Sequence, residues 1–580
     1  MVHISERLTP VSDRLLEKTG VIPKGKQFLD RLAVERERGI TVKAQTCSML
    51  FHYKSKDYLL HLVDTPGHVD FAAEVAQNMA SCDGALLLVD ASQGVQAQTL
   101  ANLRTAVGAG LVVLPLINKI DLVSADVART TAQVEELGLM HKPLLLSAKT
   151  GIGIDAILPW VVDNIPPPKG STQKPLRFHL VDSWFDAFAG VILLIRVLDG
   201  VLEPGQKIFS TFSQKLYSVA QVGIMHPDQI PTVNLSAGQV GYCIPRMKSV
   251  REAIAGDIFT HPDHRAYVDA PVLVTAKPMV FVGAFPLESS EFSRLDESIG
   301  RLALNDRSIT VSKEASSALG QGWRIGFRGT LHASVFQDRL RQEHGGRVII
   351  TRPTVPYKIL SSVGETIVSK ADEFPDATQD EILEPVVDAT MVFPSSQLGR
   401  VIDLCETYRG NQLDITYSAH SHEQVKIIYR IPLAQLVDGF FDKLKSLTQG
   451  YATLDYEEAG WAHADVVKLK LLVNHVPIDA LSAIVHHSQA VRWGREWTKR
   501  LKEMIPQQLY VIAIQAAIGS KVVARETLSA RRKDVTAKLY GGDITRRMKL
   551  LEKQRQGKKK LTQVSTGALS HETLSNFLKE

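Results

Sequence analysis

Tyr58-Leu59-Leu60-His61-Leu62-Val63-Asp64 reads as a short apolar strand, and Asp64-Thr65-Pro66-Gly67-His68 turns sharply out of its end. Two further signatures follow in order. Asn118-Lys119-Ile120-Asp121 ends the apolar run 111–118, and Ser147-Ala148-Lys149 follows the run 144–146. Residues 84–90 form another continuous apolar run, and an alanine-rich helix fits 69–80. Apolar runs of this kind, alternating with helices, predict a parallel α/β sheet with loops gathered at the carboxyl ends of its strands. All three signatures sit there, where such sheets bind ligands.

The residue types at these loops suit a guanine nucleotide. A carboxylate at Asp121 accepts two N–H bonds from the guanine edge, a pattern adenine does not offer, while Asn118 and Lys119 brace the loop and pack along the base beside Ile120. Ser147, Ala148 and Lys149 supply a backbone amide for the guanine oxygen. Asp64 would hold Mg²⁺ through water, and Gly67, after Thr65 and Pro66, lets the backbone approach a γ-phosphate. His68 can orient an attacking water and stabilise developing charge. Upstream, Glu35-Arg36-Glu37-Arg38-Gly39-Ile40-Thr41 reads as a switch whose Thr41 hydroxyl ligates Mg²⁺. Asn-Lys-x-Asp alone is a weak signal; the three signatures together are a strong one. The fourth signature, Gly-x-x-x-x-Gly-Lys-Ser/Thr, does not occur in the chain.

The 580 residues are too many for one core, so three to five domains are expected. No apolar run approaches the roughly 18 residues of a membrane span. Cys47, Cys82, Cys243 and Cys405 lack pairing or metal spacing and read as small core residues of a reducing compartment. Charge is uneven. Residues 521–560 hold fourteen Lys/Arg against four acids, a net +10, in a chain whose total is +5. That segment is suited to a polyanion, and its candidate RNA-binding residues are Lys521, Arg525, Arg531, Arg532, Lys533, Lys538, Arg546, Arg547 and Lys549.

Five domains are predicted. A nucleotide-binding domain occupies 1–168 and ends at Ile165-Pro166-Pro167-Pro168, which cannot continue helix or sheet. A β-barrel spans 174–262, with Asp199-Gly200 read as a hairpin turn. An α+β unit covers 272–352. A second, at 382–462, has a split β-α-β pattern whose second helix carries an apolar stripe from Leu433 to Leu447. A basic C-terminal domain takes 463–580.

The quoted signatures, with Arg36-Glu37-Arg38-Gly39-Ile40-Thr41-Val42-Lys43-Ala44-Gln45, resemble the switch regions of translational GTPases, and more narrowly those of the LepA (elongation factor 4) family. Asp182-Ser183-Trp184-Phe185-Asp186 resembles the start of its barrel domain. Ala513-Ile514-Gln515-Ala516-Ala517-Ile518-Gly519 and Tyr540-Gly541-Gly542-Asp543-Ile544-Thr545-Arg546 are similar to its own C-terminal domain. Lys277-Pro278-Met279-Val280-Phe281 and Leu550-Leu551-Glu552-Lys553-Gln554 lean to the mitochondrial branch. The resemblance implies a P-loop-type GTPase domain, a barrel, two ferredoxin-like domains and the basic C-terminal domain. It also implies GTP and Mg²⁺ as ligands, His68 as the catalytic residue, and a ribosome-dependent role in mitochondrial fidelity or back-translocation on stalled ribosomes. The implied partners are ribosomal RNA and tRNA. The implied setting is a monomer in the mitochondrial matrix, with peripheral inner-membrane association.

The chain departs from the family in two places. Aligned on Ser12-Asp13-Arg14-Leu15-Leu16, the phosphate loop falls on residues 3–10, placing its last glycine on Arg7, its lysine on Leu8 and its hydroxyl residues on Thr9 and Pro10; the first strand is expected to be missing. Arg328 and Ala333-Ser334 replace apolar residues, which bears on the coupling of the third domain. Residues 1–20 mix Glu6, Asp13 and Glu17 with Arg7, Arg14 and Lys18, unlike a transit peptide. Two readings follow: a GTPase whose chain as given begins downstream of its true start, and a nucleotide-blind ribosome-binding protein. The first is preferred, because the other signatures are intact; elongation factor G, which lacks the Tyr-Gly-Gly-Asp motif, fits less well.

Overall fold

The structure is a computed structural model, and it describes residues 2–5, 9–25, 28–186, 188–249, 252–264, 277–306, 308–362, 364–376, 380–417, 424–531, 535–536, 544–564, 569 and 571–579. The nucleotide-binding domain is built on strands β1 (Val2–Ser5), β2 (Gln45–Tyr53), β3 (Lys56–Asp64), β4 (Gly84–Asp90), β5 (Val112–Asn118) and β6 (Leu144–Leu145). They lie in the order β2-β3-β1-β4-β5-β6, all parallel except the edge strand β2. Helices α1 (Thr9–Lys18), α2 (Ala33–Arg38), α3 (Ala72–Met79), α4 (Ala97–Gly108), α5 (Val127–Glu136) and α6 (Ile157–Asn164) surround the sheet. Leu86, Leu88, Leu114 and Leu116 are buried with Leu15 and Leu16 of α1 in one core. That continuous burial is why β4 and β5 carry no polar face.

One expectation is corrected here. The first strand is present: β1 lies centrally, parallel to β3 (Ile4 opposite Asp64) and to β4 (Ile4 opposite Leu86). The strand and the following helix α1 keep the frame of a phosphate-binding unit. Only Glu6, Arg7 and Leu8 separate them in sequence, and those three residues lie outside the described ones.

Strands β7 (Arg177–Asp186), β8 (Gly190–Asp199), β10 (Lys207–Ser210), β11 (Leu216–Met225), β12 (Gln229–Pro231), β14 (Val240–Pro245) and β15 (Ile258–Thr260) form the barrel, closed by β10 pairing with β11, while β9 (Val201–Leu202) and β13 (Leu235–Ser236) pair as a separate two-stranded sheet. Asp199-Gly200 is not a hairpin turn. Past Gly200, at φ 79, β9 pairs with β13 instead of folding back on β8, and a Cβ at 200 would collide with the Leu176 backbone, so the left-handed turn there requires glycine.

The third unit runs β16 (Val280–Pro286), α7 (Phe292–Leu304), β17 (Thr310–Ser316), β18 (Gly320–Phe327), α8 (Thr330–His344) and β19 (Val348–Ile350), with strand order β17-β18-β16-β19, a ferredoxin-like arrangement. A hairpin of β20 (Tyr357–Ser361) and β21 (Gly364–Val368) then joins the sheet of β22 (Glu381–Pro394), β23 (Asn411–Tyr417), β24 (Gln424–Pro432) and β25 (Thr453–His463). Helix α9 (Leu398–Thr407) covers one side. The expected single helix behind Leu433 is two pieces, α10 (Leu433–Gln435) and α11 (Phe441–Leu447), because Asp438 and Gly439 leave helical geometry and Gly439 sits at φ 80.

Last come β26 (Val466–Val473), β27 (Val476–His486), α12 (His487–Met504), β28 (Ile512–Ile518), β29 (Lys521–Leu528), α13 (Ile544–Val564) and α14 (His571–Lys579). The described parts of the basic segment are mostly ordered into elements. Its first eight residues form an edge strand, and beyond it α14 returns to bury Leu574 and Phe577 against Trp497.

Candidate nucleotide-binding and interdomain site

The loops that carry the second and third signatures are tied to each other. Asn118 is buried at the end of β5, and its Oδ1 accepts the Ala148 amide at 3.0 Å, tying the second signature to the third. The Ser147 hydroxyl donates to Asp121 Oδ1 at 2.6 Å, so one carboxylate oxygen is oriented while the exposed side chain faces out. Lys119 takes a left-handed backbone (φ 65) and its Nζ meets Asp90 Oδ2 at 2.6 Å, both residues lining the cleft. Arg14 of α1 donates to the carbonyls of Ala148 (3.0 Å) and Lys149 (3.3 Å). Asp90 and Arg14 carry no motif of their own; the only signal for them was their position at the end of β4 and in α1.

Thr41, Gly67 and His68 line a cleft of about 1170 Å³ that continues to Lys119 and Asn118. Asp64 and Thr65 are buried at the end of β3 and Pro66 leads to the half-exposed Gly67. The switch segment is held by Glu35. Its buried carboxylate accepts the amides of Leu32 (2.9 Å), Val42 (3.0 Å) and Lys43 (3.1 Å), and burial pushes its pKa up. The Asp70 amide donates to His68 Nδ1 at 3.1 Å, so a neutral ring carries its proton on Nε2. Among the described residues no cluster of three His, Cys, Asp or Glu could hold a metal unaided. Thr41 and Asp64 are hard oxygen donors of the kind Mg²⁺ accepts alongside substrate phosphates, so they fit that ion.

The same cleft is closed by the third and fourth units. Arg38 of α2 donates to Asp338 Oδ2 (3.0 Å from Nε) and to the Ser334 hydroxyl (2.6 Å), both on α8. Arg328 reaches the Lys277 carbonyl (2.8 Å) and Glu458 of β25 (3.3 Å). The departures at Arg328 and Ser334 are thus polar contacts between units. Thr453 accepts the Ala97 amide at the start of α4 (3.1 Å).

Lys521 and Arg525 lie on β29, Arg531 is exposed just beyond it, and Arg546, Arg547 and Lys549 are exposed on α13. Arg532, Lys533, Lys538 and the Gly541-Gly542 turn lie outside the described residues.

Fold and site together define a multidomain translation factor built around a GTP-binding domain. The family model "Elongation factor Tu GTP binding domain" matches residues 4–167, "Elongation factor G C-terminus" matches 381–472, and "GTP-binding protein LepA C-terminus" matches 473–579. A protein named mitochondrial translation factor GUF1 from Coccidioides posadasii is 53% identical, over 100% of this chain and 89% of its own length. Its namesakes from Candida glabrata and Schizosaccharomyces pombe are 50% and 51% identical, over 100% of this chain and 90% and 89% of theirs. A solved structure from Thermus thermophilus superimposes with a TM-score of 0.56 at 16% identity, covering 80% of this chain and 97% of that one, which supports the fold. The chain belongs to the LepA family of translation factors, in its mitochondrial GUF1 branch.

Proposed function

We propose that this chain is a ribosome-dependent GTPase of mitochondrial protein synthesis, converting GTP and water to GDP and phosphate, with fidelity or back-translocation on stalled ribosomes as its task. The observation that carries this reading is the pair of braced loops, Asn118 to Ala148 and Ser147 to Asp121, beside the cleft that Asn118 and Lys119 share with Thr41, Gly67 and His68. Asp121 reads the guanine edge and Ala148 offers its loop to the base oxygen. Thr41, and Asp64 through water, would hold Mg²⁺, which would neutralise charge on the phosphates. His68, with Nδ1 tied to the Asp70 amide, presents its Nε2 proton to the attacking water when ribosomal RNA positions it. The exposed cations of β29 and α13 bind ribosomal RNA and tRNA. The protein works as a monomer in the mitochondrial matrix, with peripheral contact to the inner membrane.

A second reading is favoured by one feature. Glu6, Arg7 and Leu8 stand between β1 and α1 where a phosphate loop would supply glycines and a lysine. In that reading the chain docks on ribosomes without using nucleotide. Ribosome pelleting with GTP, GDP or no nucleotide, alongside phosphate release, separates the two: nucleotide-independent binding without release supports the second and overturns the first.

A further inference from the structure

Helix α8 begins at Gly329, an N-cap with no side chain to offer its free amides. The missing cap comes from another domain. Asp70, two residues after His68 and buried, accepts the His332 amide at 3.0 Å through Oδ2. A Cβ at Gly329 would land on that carboxylate, so glycine at 329 is what lets Asp70 reach the helix. The other oxygen, Oδ1, accepts the Tyr456 hydroxyl of β25 at 3.1 Å. Burial keeps that phenol protonated, so it remains a donor. Asp70 therefore touches two other structural units at once. Its own amide ends on His68 Nδ1, and the Phe71 amide ends on the His68 carbonyl at 2.9 Å. The Asp70 carboxylate also stands 3.6 Å from His68 Nδ1.

We infer that Asp70 is a positioning residue that latches the His68 segment to α8 and β25, so that undocking of either element frees the imidazole. A charged acceptor in low dielectric binds its donors more strongly than a neutral one, and anions are favoured at helix N-termini. The latch is closed only when both neighbouring units are seated. The inference deepens the proposed hydrolytic role of His68, but its geometry needs no nucleotide.

The test is residue-resolved hydrogen exchange of the full chain without nucleotide. The Asp70 and Phe71 amides report the His68 contacts directly. Tyr456→Phe removes one donor from β25. Gly329→Ser evicts Asp70 while giving α8 a cap of its own, which protects the helix from unfolding. Each should speed exchange at the Asp70 and Phe71 amides by about tenfold. The double variant should add less than the sum in log rate, because both act through one carboxylate. In Asp70→Asn, whose single side-chain oxygen can accept from only one of the two donors, protection should fall partway, whereas Asp70→Ala should lose it. Unchanged exchange at these two amides in folded Tyr456→Phe protein, or full additivity in the double variant, overturns the latch. Coupled exchange in a chain that releases no phosphate would leave the latch standing and remove the hydrolytic reading.

Discussion

Replacing His61 with Gln should flatten the acid dependence of stability. His61 lies on β3, buried at the junction with the barrel, where Val63, Cys82, Val181, Leu194 and Val240 form a shared apolar cluster. Its Nε2 accepts the Val240 amide at 3.2 Å and its Nδ1 sits 2.9 Å from the Ser48 hydroxyl. The neutral ring uses both nitrogens, and a second proton would displace the Val240 amide. Burial pushes the imidazole down to about 3. The unfolded value is about 6.5, so below that pH the unfolded chain binds a proton that the folded one does not. The contribution is complete above the unfolded value, falls as pH drops, and levels off near the folded value. Between about pH 7.5 and about pH 5 the loss is about 2 kcal/mol. His179, which burial holds at about 4, acts in the same direction and is present in both proteins, so it cancels in the comparison. The assay is urea unfolding of both proteins at the two pH values, followed by hydrogen exchange at β3 and β14 so that this junction is read apart from the other units. His61→Gln should lower stability at neutral pH by about 1–3 kcal/mol, through an imperfectly replaced buried hydrogen bond, while losing the His61 share of the pH slope. Equal slopes in the two proteins, or a His61 resonance titrating near its unfolded value, would refute the reasoning.

With no lysine or glycine between β1 and α1, GTP should be held more weakly than about 10 µM in isothermal titration, so that ribosome-stimulated hydrolysis should need GTP well above that concentration; tighter binding would contradict this. Asp121→Asn should turn base preference from guanine towards xanthine, with the amide oxygen towards Ser147 reversing one donor–acceptor pair, and competition binding of the two nucleotides reads it. With a Gly-x-x-x-x-Gly-Lys-Ser loop inserted, His68→Ala should cut ribosome-stimulated hydrolysis by about 10²-fold or more and leave GTP affinity within a few-fold; equal loss of both would make His68 structural. Deleting everything after Ser520 would remove β29 and α14 from the core, so the basic surface is better tested by Arg546→Ala, Arg547→Ala and Lys549→Ala together. That triple variant should reduce the log–log salt slope of ribosome binding by about 2 to 3, measured by pelleting across a salt series. An unchanged slope would make α13 a solvated face.

The buried strands β4 and β5 were legible because a continuous apolar run carries its own burial, and the loops behind them were legible because their chemistry lies in consecutive residues. The four-residue β1 was not. It has too few positions for a periodicity and exists because β3 and β4 flank it with parallel hydrogen bonds from residues some 60 to 85 positions away. The apolar stripe from Leu433 marked a buried face correctly but could not show that Gly439 breaks the helix, since a stripe survives a kink that keeps its residues on one side. Asp199-Gly200 has the composition of a hairpin, yet pairing with β13 overrode it. At the site, Asp121, Asn118 and His68 could be named from spacing alone. The contacts of Asp70 with His332 and Tyr456 could not, because a hydrogen bond across 262 or 386 positions leaves no local pattern; Arg328 and Ser334 stood out only as departures from the family, without their partners. Sequence by itself determined which residues are chemically equipped for a guanine nucleotide and a polyanion; tertiary structure decided which of them meet, because contacts between units depend on where whole sheets and helices pack rather than on neighbours along the chain.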